Sequence, residues 1–240
     1  MRRLVDGHGN GDEAGADGGA GTGGSLDEYP FRALADRIAW TYGLGGPRIT
    51  ITTACASSAN ALGYARDWVA GGIIDAAVVC GADVLCELTY AGFHSLKALS
   101  PDASRPFDRR RRGLNLGEAA AALVIEREDA YLQRGRTCRA GEPVELAGYG
   151  LSADAVHVTA PDRTGSGVAR AIAMALDEAG VPPEEIGYVN VHGTGTPYND
   201  AMEIKAIRSV FGERARELPV SSTKSMHGHT LGAAGALESV

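Results

Sequence analysis

No stretch of this sequence approaches the ~20 consecutive apolar residues that a membrane-spanning helix needs. Nor does an apolar run follow the two N-terminal arginines to act as a secretion signal. A cytoplasmic protein without a membrane span is therefore expected. Excess basic charge is also lacking. Against 30 Asp and Glu stand 23 Lys and Arg, a formal net charge of -7, whereas a sequence-independent hold on nucleic acid needs clustered cations. The one basic run, Arg109 to Arg112, reads as a solvated loop. Cysteine is sparse: Cys55, Cys80, Cys86 and Cys138 show neither CxxC spacing nor the density of a secreted scaffold, so free thiols are expected.

What is present is a 240-residue chain, 44% hydrophobic, able to bury one large core or two smaller ones. Residues 1–25 are rich in Gly, Ala and Asp and read as a disordered tail. The GGAGTGG stretch within it neither follows a strand nor opens a helix, as a phosphate-cradling loop must. From Leu26 onward, Phe31, Leu34, Ile38 and Tyr42 recur at helical spacing and Gly43 supplies a stop. RITITT (48–53) alternates β-branched residues as a strand does. Ala59, Leu62, Ala65 and Val69 then line one face of a helix over 56–70. Apolar runs at 73–80 and 119–125 read as strands, the second buried on both faces. Further strands are expected near 144–147, 186–191 and 219–222. A helix carrying Val168, Ile172 and Leu176 should be closed by Gly180, and another, capped by Asn199 and Asp200, should present Ile204, Ile207 and Phe211. The alternation argues for an α/β fold with largely parallel sheets, whose ligands gather at the carboxyl ends of strands.

Cys55, His192 and His229 fall at such ends. A thiol in the first turn of a helix meets the positive end of the helix dipole, which lowers its pKa and favours thiolate. Taken alone, Cys55 fits a small buried hydrophobe equally well, the reading that suits Cys80 and, less directly, Cys86 and Cys138. His192 opens HGTGT, where glycines allow close approach of a ligand and Thr194 and Thr196 can hold a polar chain. His229 lies in a second Gly-bounded loop. Two histidines and a turn cysteine point towards catalysis. Zinc ligation, with His227 completing an HxH pair, is the alternative, but no fourth ligand stands at recognised spacing. Glu203 borders an apolar stripe and needs a cationic or hydrogen-bonding partner; Lys224, just past a strand, is the candidate.

Read together, GPRITITTACASS, AGFHSLKALS, SRPFD, LNLGEAAAALVIE, SADAVHVTAPD, VNVHGTGTPYNDAMEIKAI and SSTKSMHGHTLGAAGALE resemble the β-ketoacyl-acyl-carrier-protein synthases of the thiolase-like superfamily, in the family's order from about Leu26 to Val240. The resemblance implies a thiolase-like α/β fold of two similar halves in a layered α-β-α-β-α arrangement, incomplete at both termini. Residues 26–140 would form part of the half carrying the nucleophile and 141–240 part of the half carrying both histidines. Cys55 matches the acyl-accepting nucleophile, and His192 and His229 the pair that promotes malonyl decarboxylation. Lys224, Glu203 and Glu238 match supporting charged residues. Thr194, Thr196 and Thr159 match positions that touch the phosphopantetheine arm, and Phe93 a wall of the acyl pocket.

By the same resemblance no resident cofactor or metal is needed, because substrates arrive on the phosphopantetheine of acyl carrier protein. The partners implied are that carrier and a second ketosynthase chain, in a homodimer or heterodimer. The chain departs from the family's pattern in lacking its long N-terminal stretch and its Gly-Phe-Gly-Gly-Thr-Asn loop, source of a second oxyanion donor. Arg112 stands where Asp is usual and Ala119 where Gly is usual. A non-catalytic remnant or pairing module, and a thiolase acting on coenzyme A esters, are the rival readings.

Overall fold

The computed structural model describes residues 33–135 and 143–240. The Gly-rich tail, Phe31 and Cys138 lie outside the described residues. These fall into two compact units, 33–50 and Ile51–Val240. The first holds helix α1 (Ala33–Tyr42), ended as expected at Gly43 with φ +63°, and an Arg48–Asp36 ion pair. RITITT, which spans the junction, forms no strand, and Arg48, Ile49, Thr52 and Thr53 are exposed.

In the second unit α2 (Ser57–Ala70) buries Leu62, Ala65 and Val69. It packs on a hairpin-like pair, β1 (Ala76–Asp83) and β2 (Ala119–Glu126), with α3 (Glu87–Ser95) between them in sequence. β1 starts three residues later than its apolar run because the Ile73 amide bonds back to the Trp68 carbonyl, closing α2. The pair is antiparallel, with Val79 opposite Leu123 and Ala77 opposite Ile125. This corrects the expectation of parallel strands, and also that of a strand buried on both faces. Ala77, Val79, Leu123 and Ile125 face α2, while Val78 and Val124 point outward, 43% and 64% exposed. Cys80 shares that outer face and Cys86 is exposed at the N-cap of α3, so neither is the buried hydrophobe expected.

After α4 (Glu128–Gln133), the segment 144–147 is not a strand. Arg66 of α2 takes the carbonyls of Leu146 and Ala147 that a neighbouring strand would have used. α5 (Ser166–Ala179) ends on left-handed Gly180 as anticipated. β3 (Val189–Asn190) and β4 (Val220–Ser221) pair in parallel and flank α6 (Pro197–Phe211), burying Val191, Ile207, Phe211 and Leu218 together. Thr196 is the N-cap of α6, with Pro197 at its first position, so Asn199 and Asp200 lie inside the first turn rather than capping it. The KSMHGH loop contains a short helix, α7 (Lys224–His227), and the chain closes with α8 (Ala234–Glu238).

α8 and the N-terminal half of α2 approach almost backbone to backbone. A Cβ on Gly235 would lie 2.5 Å from the Ala59 nitrogen, and one on Gly81 would lie 3.1 Å from both Ala233 Cα and Ala236 Cβ. The Ala236 amide donates to Ser58 Oγ at 2.9 Å, and the Gly232 amide to Asp83 Oδ2 at 3.0 Å. Small residues therefore hold the chain after His229 against the helix after Cys55. Gly235→Ala should destabilise the chain by about 1–3 kcal/mol through overpacking, read as a lower urea midpoint; an unchanged midpoint would show that this approach is not tight.

Candidate active site

The turn that carries Cys55 is a single 3-10 turn, Ala54–Ala56, leading into α2. Its closure is local. The Ala56 amide donates to the Thr53 carbonyl (3.2 Å), the Thr53 amide to Ser57 Oγ (2.9 Å), and the Ser57 hydroxyl to the Ala54 carbonyl (2.6 Å). Ala54 is held at φ +52°, a left-handed conformation that costs a non-glycine residue roughly 1–2 kcal/mol. Strain of this kind persists only where surroundings enforce it, and it commonly marks functional sites.

His229 arrives from the loop after α7. Its Nε2 lies 2.9 Å from Cys55 Sγ, and its Nδ1 accepts the Leu231 amide at 3.3 Å. Because a backbone N–H occupies Nδ1, the ring proton sits on Nε2 and faces the sulfur. His192 arrives from the loop after β3. Its ring meets that of His229 edge to face, centroids 5.1 Å apart, and Phe93 of α3 touches the same ring at 6.4 Å.

Burial dominates the electrostatics. It pushes His192 down to about 3 and His229 to about 4, each from 6.5, with the Lys224 ammonium adding to the effect, so both rings are neutral at pH 7. Burial also pushes the Cys55 thiol up, outweighing the opposing pull of Lys224 and of the Cys55 backbone. The expected depression of the thiol by its place on the helix is thus overturned, since desolvation of the thiolate is the larger effect.

Lys224 is 2% exposed and pairs with Glu238 at 2.5 Å. Its expected partner, Glu203, instead takes the amides of His192 and Gly193 and the side chain of Asn199, each at 2.7 Å. Three N–H donors satisfy that carboxylate, so no cation is required, and Glu203 fixes the backbone of the His192 loop. Thr194 and Thr196 bond each other through their hydroxyls at 2.9 Å, with Thr194 buried. Thr159 lies in an exposed turn folded about His157 Nδ1, and no hydrogen bond ties it to the Cys55 cluster. His227 is occupied by Thr223 and the Gly228 carbonyl, so it does not join an HxH pair at the sulfur.

Residues that sequence reasoning missed form a strap over both histidine loops. Asn115 accepts the Ser104 amide on Oδ1 (2.6 Å), while its carbonyl accepts the His229 amide (2.7 Å). Ser104 Oγ faces the carbonyls of Gly113 and Thr194, and the Gly113 amide donates to the Gly195 carbonyl. Asp200, 1% exposed, accepts the Phe107 and Gly195 amides, and Arg111 stands 3.6 Å away. Arg111 also binds the carbonyls of Thr196 and Pro197 and is therefore built into the site's support rather than solvated. For Asp200 a signal was available in its helical phase, three residues before Glu203 and seven before Ile207. Ser104 and Asn115 fall within the SRPFD and LNLGEAAAALVIE segments, but no local pattern marked them as supports of the histidine loops.

Cys55, His192 and His229 place one potential ligand atom each within 4.8 Å of the others. The donor set suits a divalent cation poorly. His229 would have to shed its Nε2 proton while Nδ1 faces another donor, and Lys224 adds positive charge nearby. A half-buried thiol on a strained turn thus faces two neutral imidazoles delivered by separate loops of an α/β fold.

Comparison with known proteins gives the family. The β-ketoacyl synthase N-terminal domain matches residues 18–130 and the β-ketoacyl synthase C-terminal domain matches residues 144–240. The 3-oxoacyl-[acyl-carrier-protein] synthase 2 of Staphylococcus aureus is 43% identical over 204 residues, covering 82% of this chain and 50% of that protein. The ketosynthase ApeO, solved with its chain length factor ApeC from Xenorhabdus doucetiae, is 41% identical with a TM-score of 0.79 over 89% of this chain and 50% of that one. A type II PKS ketosynthase solved with its acyl-carrier protein superposes with a TM-score of 0.84 at 35% identity, over 89% of this chain and 53% of that one. The chain belongs to the β-ketoacyl synthase family. It spans about half the length of the curated relatives it matches.

Neutral buried histidines make stability depend on pH. The unfolded chain, with histidine near 6.5, binds protons that the folded chain refuses until about 4 and 3, so stability present above 6.5 is lost as pH falls through that window. The urea midpoint should drop between about pH 7 and pH 5, and the drop should shrink in a His192→Gln/His229→Gln variant. An equal drop in both would contradict this assignment.

Proposed function

We propose that this chain carries the condensing centre of a β-ketoacyl-acyl-carrier-protein synthase. Cys55 Sγ attacks the carbonyl of an acyl-carrier thioester, the acyl group moves to sulfur, and the carrier thiol leaves with the proton. Malonyl-carrier then loses carbon dioxide, and the electrons of the broken C–C bond form an enolate. Its carbon attacks the acyl-enzyme, and Cys55 sulfur departs and regains a proton, giving a 3-oxoacyl thioester. The observation that carries this reading is His229, held as a neutral Nε2–H donor 2.9 Å from Sγ with the His192 ring against it. Two uncharged donors can stabilise the enolate oxygen without protonating the carbanion, and each preorganised donor of this kind contributes roughly 10²–10³ in rate.

Lys224 presses the pair towards neutrality and Glu238 holds Lys224; Glu203 holds the His192 backbone. Thr194 and Thr196 stand beside His192 where a phosphopantetheine arm would lie, Thr159 serves the same arm from outside the cluster, and Phe93 walls the acyl chain. The Cys55 amide would give one donor to the acyl oxyanion. Residues 26–140 and 141–240 act as the two halves, in the cytoplasm, with acyl carrier protein and a second ketosynthase chain as partners. The complexes solved for relatives support both partners. No helix among the described residues is long and apolar enough to cross a membrane.

Intact mass after incubation with an acyl-carrier thioester tests the reading. One acyl group should appear on the parent and none on Cys55→Ala. A folded parent that stays unmodified would contradict it and favour a non-catalytic pairing module.

A further inference from the structure

A chain of polar contacts enters the nucleophile turn from the far side of α2. The Tyr149 hydroxyl donates to Asn60 Oδ1 (2.8 Å), and Asn60 Nδ2 donates to Thr53 Oγ1 (2.7 Å). Asn60 is 4% exposed and both ends of its amide are thereby used. The Tyr149 ring lies over Gly63, where a Cβ would come within 2.4–2.5 Å of three ring carbons, so the tyrosine is seated directly on the helix. Its own amide donates to Glu178 Oε2 of α5 at 2.6 Å, and Arg66 of α2 bridges the neighbouring carbonyls to Glu178.

Thr53, at the end of this chain, is the N-cap residue of the Cys55 turn, and its carbonyl and amide are both engaged in closing it. Its side chain does not cap the turn, leaving Oγ1 to accept Asn60. The residue next to it is Ala54, in the left-handed conformation that needs external support.

We infer that Tyr149 and Asn60 are positioning residues that act through Thr53 to hold the Cys55 turn, keeping Sγ against His229 Nε2. Neither touches the sulfur. Tyr149 comes from the segment that precedes α5 and is 89 residues from Asn60, so the link makes the nucleophile's geometry depend on α5 being docked. The inference rests on Cys55 being the nucleophile. If the turn relaxes, the thiolate loses its Nε2–H donor, while the charged and titratable groups around it, Lys224, Asp83, Glu238, His192 and His229, remain.

The test uses iodoacetamide, whose reaction with Cys55 needs no carrier protein and no condensation, so it separates this inference from the proposed activity. Alkylation of Cys55 in the full chain is followed by peptide mass across a pH series, with thermal unfolding measured in parallel. Tyr149→Phe, Asn60→Leu and Thr53→Val should each slow alkylation about threefold to tenfold near neutral pH, the scale of one buried hydrogen bond, and move the profile to higher pH. Thr53→Ser, which keeps the hydroxyl, should restore the parent profile. In a His229→Ala background Tyr149→Phe should add no further shift, because the contact it protects is gone. An unshifted profile in folded Tyr149→Phe, an undiminished shift in the His229→Ala background, or a parent Cys55 that resists alkylation throughout would overturn the inference.

Discussion

The contact between Cys55 Sγ and His229 Nε2 joins residues 174 apart in sequence, and most of the polar architecture around it serves to hold its two ends still. On one side a five-residue turn is closed by Thr53 and Ser57. On the other, the His229 backbone is pinned between the Asn115 carbonyl and the Gly117 amide. Between the two, small residues of α8 and α2 let the main chains approach until no side chain can intervene. A loop histidine and a turn cysteine would drift apart without these restraints, since loops owe their order to what they are tied to.

Burial sets the chemistry and also its cost. It keeps both imidazoles neutral, which under the proposed reaction lets them donate to an enolate oxygen without protonating its carbon, but it raises the thiol that this reaction would use as a thiolate. Lys224 pulls the thiol the other way and presses the imidazoles further towards neutrality, so one ammonium acts on both kinds of group in the cluster. Glu238 in turn makes that ammonium tolerable at 2% exposure, because an unpaired buried cation would be strongly destabilising.

The sequence was most legible where a local pattern carries the information. The helical stripe after Cys55, the glycine stops at Gly43 and Gly180, and the Gly-bounded histidine loops all lay where periodicity and turn chemistry put them. Pairing was less legible. RITITT has a strand's alternation but forms no strand, and in 144–147 Arg66 takes the Leu146 and Ala147 carbonyls, neither of which leaves a local trace. Within the site, the histidines and cysteine came together as expected, but the partner of Glu203 did not. Backbone amides satisfy its charge, and amides have no signature in a sequence. Ser104 and Asn115 sit in segments the resemblance marked, but their role was illegible for the same reason: they meet main-chain groups that folding brings to them.

The central claim is that His229 stands at the sulfur as a neutral ring with its proton on Nε2. Long-range proton–nitrogen NMR of the chain labelled with ¹⁵N-histidine reads this directly at pH 7. The account predicts for His229 a pyridine-type Nδ1 and a pyrrole-type Nε2, with the Nε2–H signal perturbed in Cys55→Ala. An imidazolium, or a ring protonated on Nδ1 alone, would contradict it.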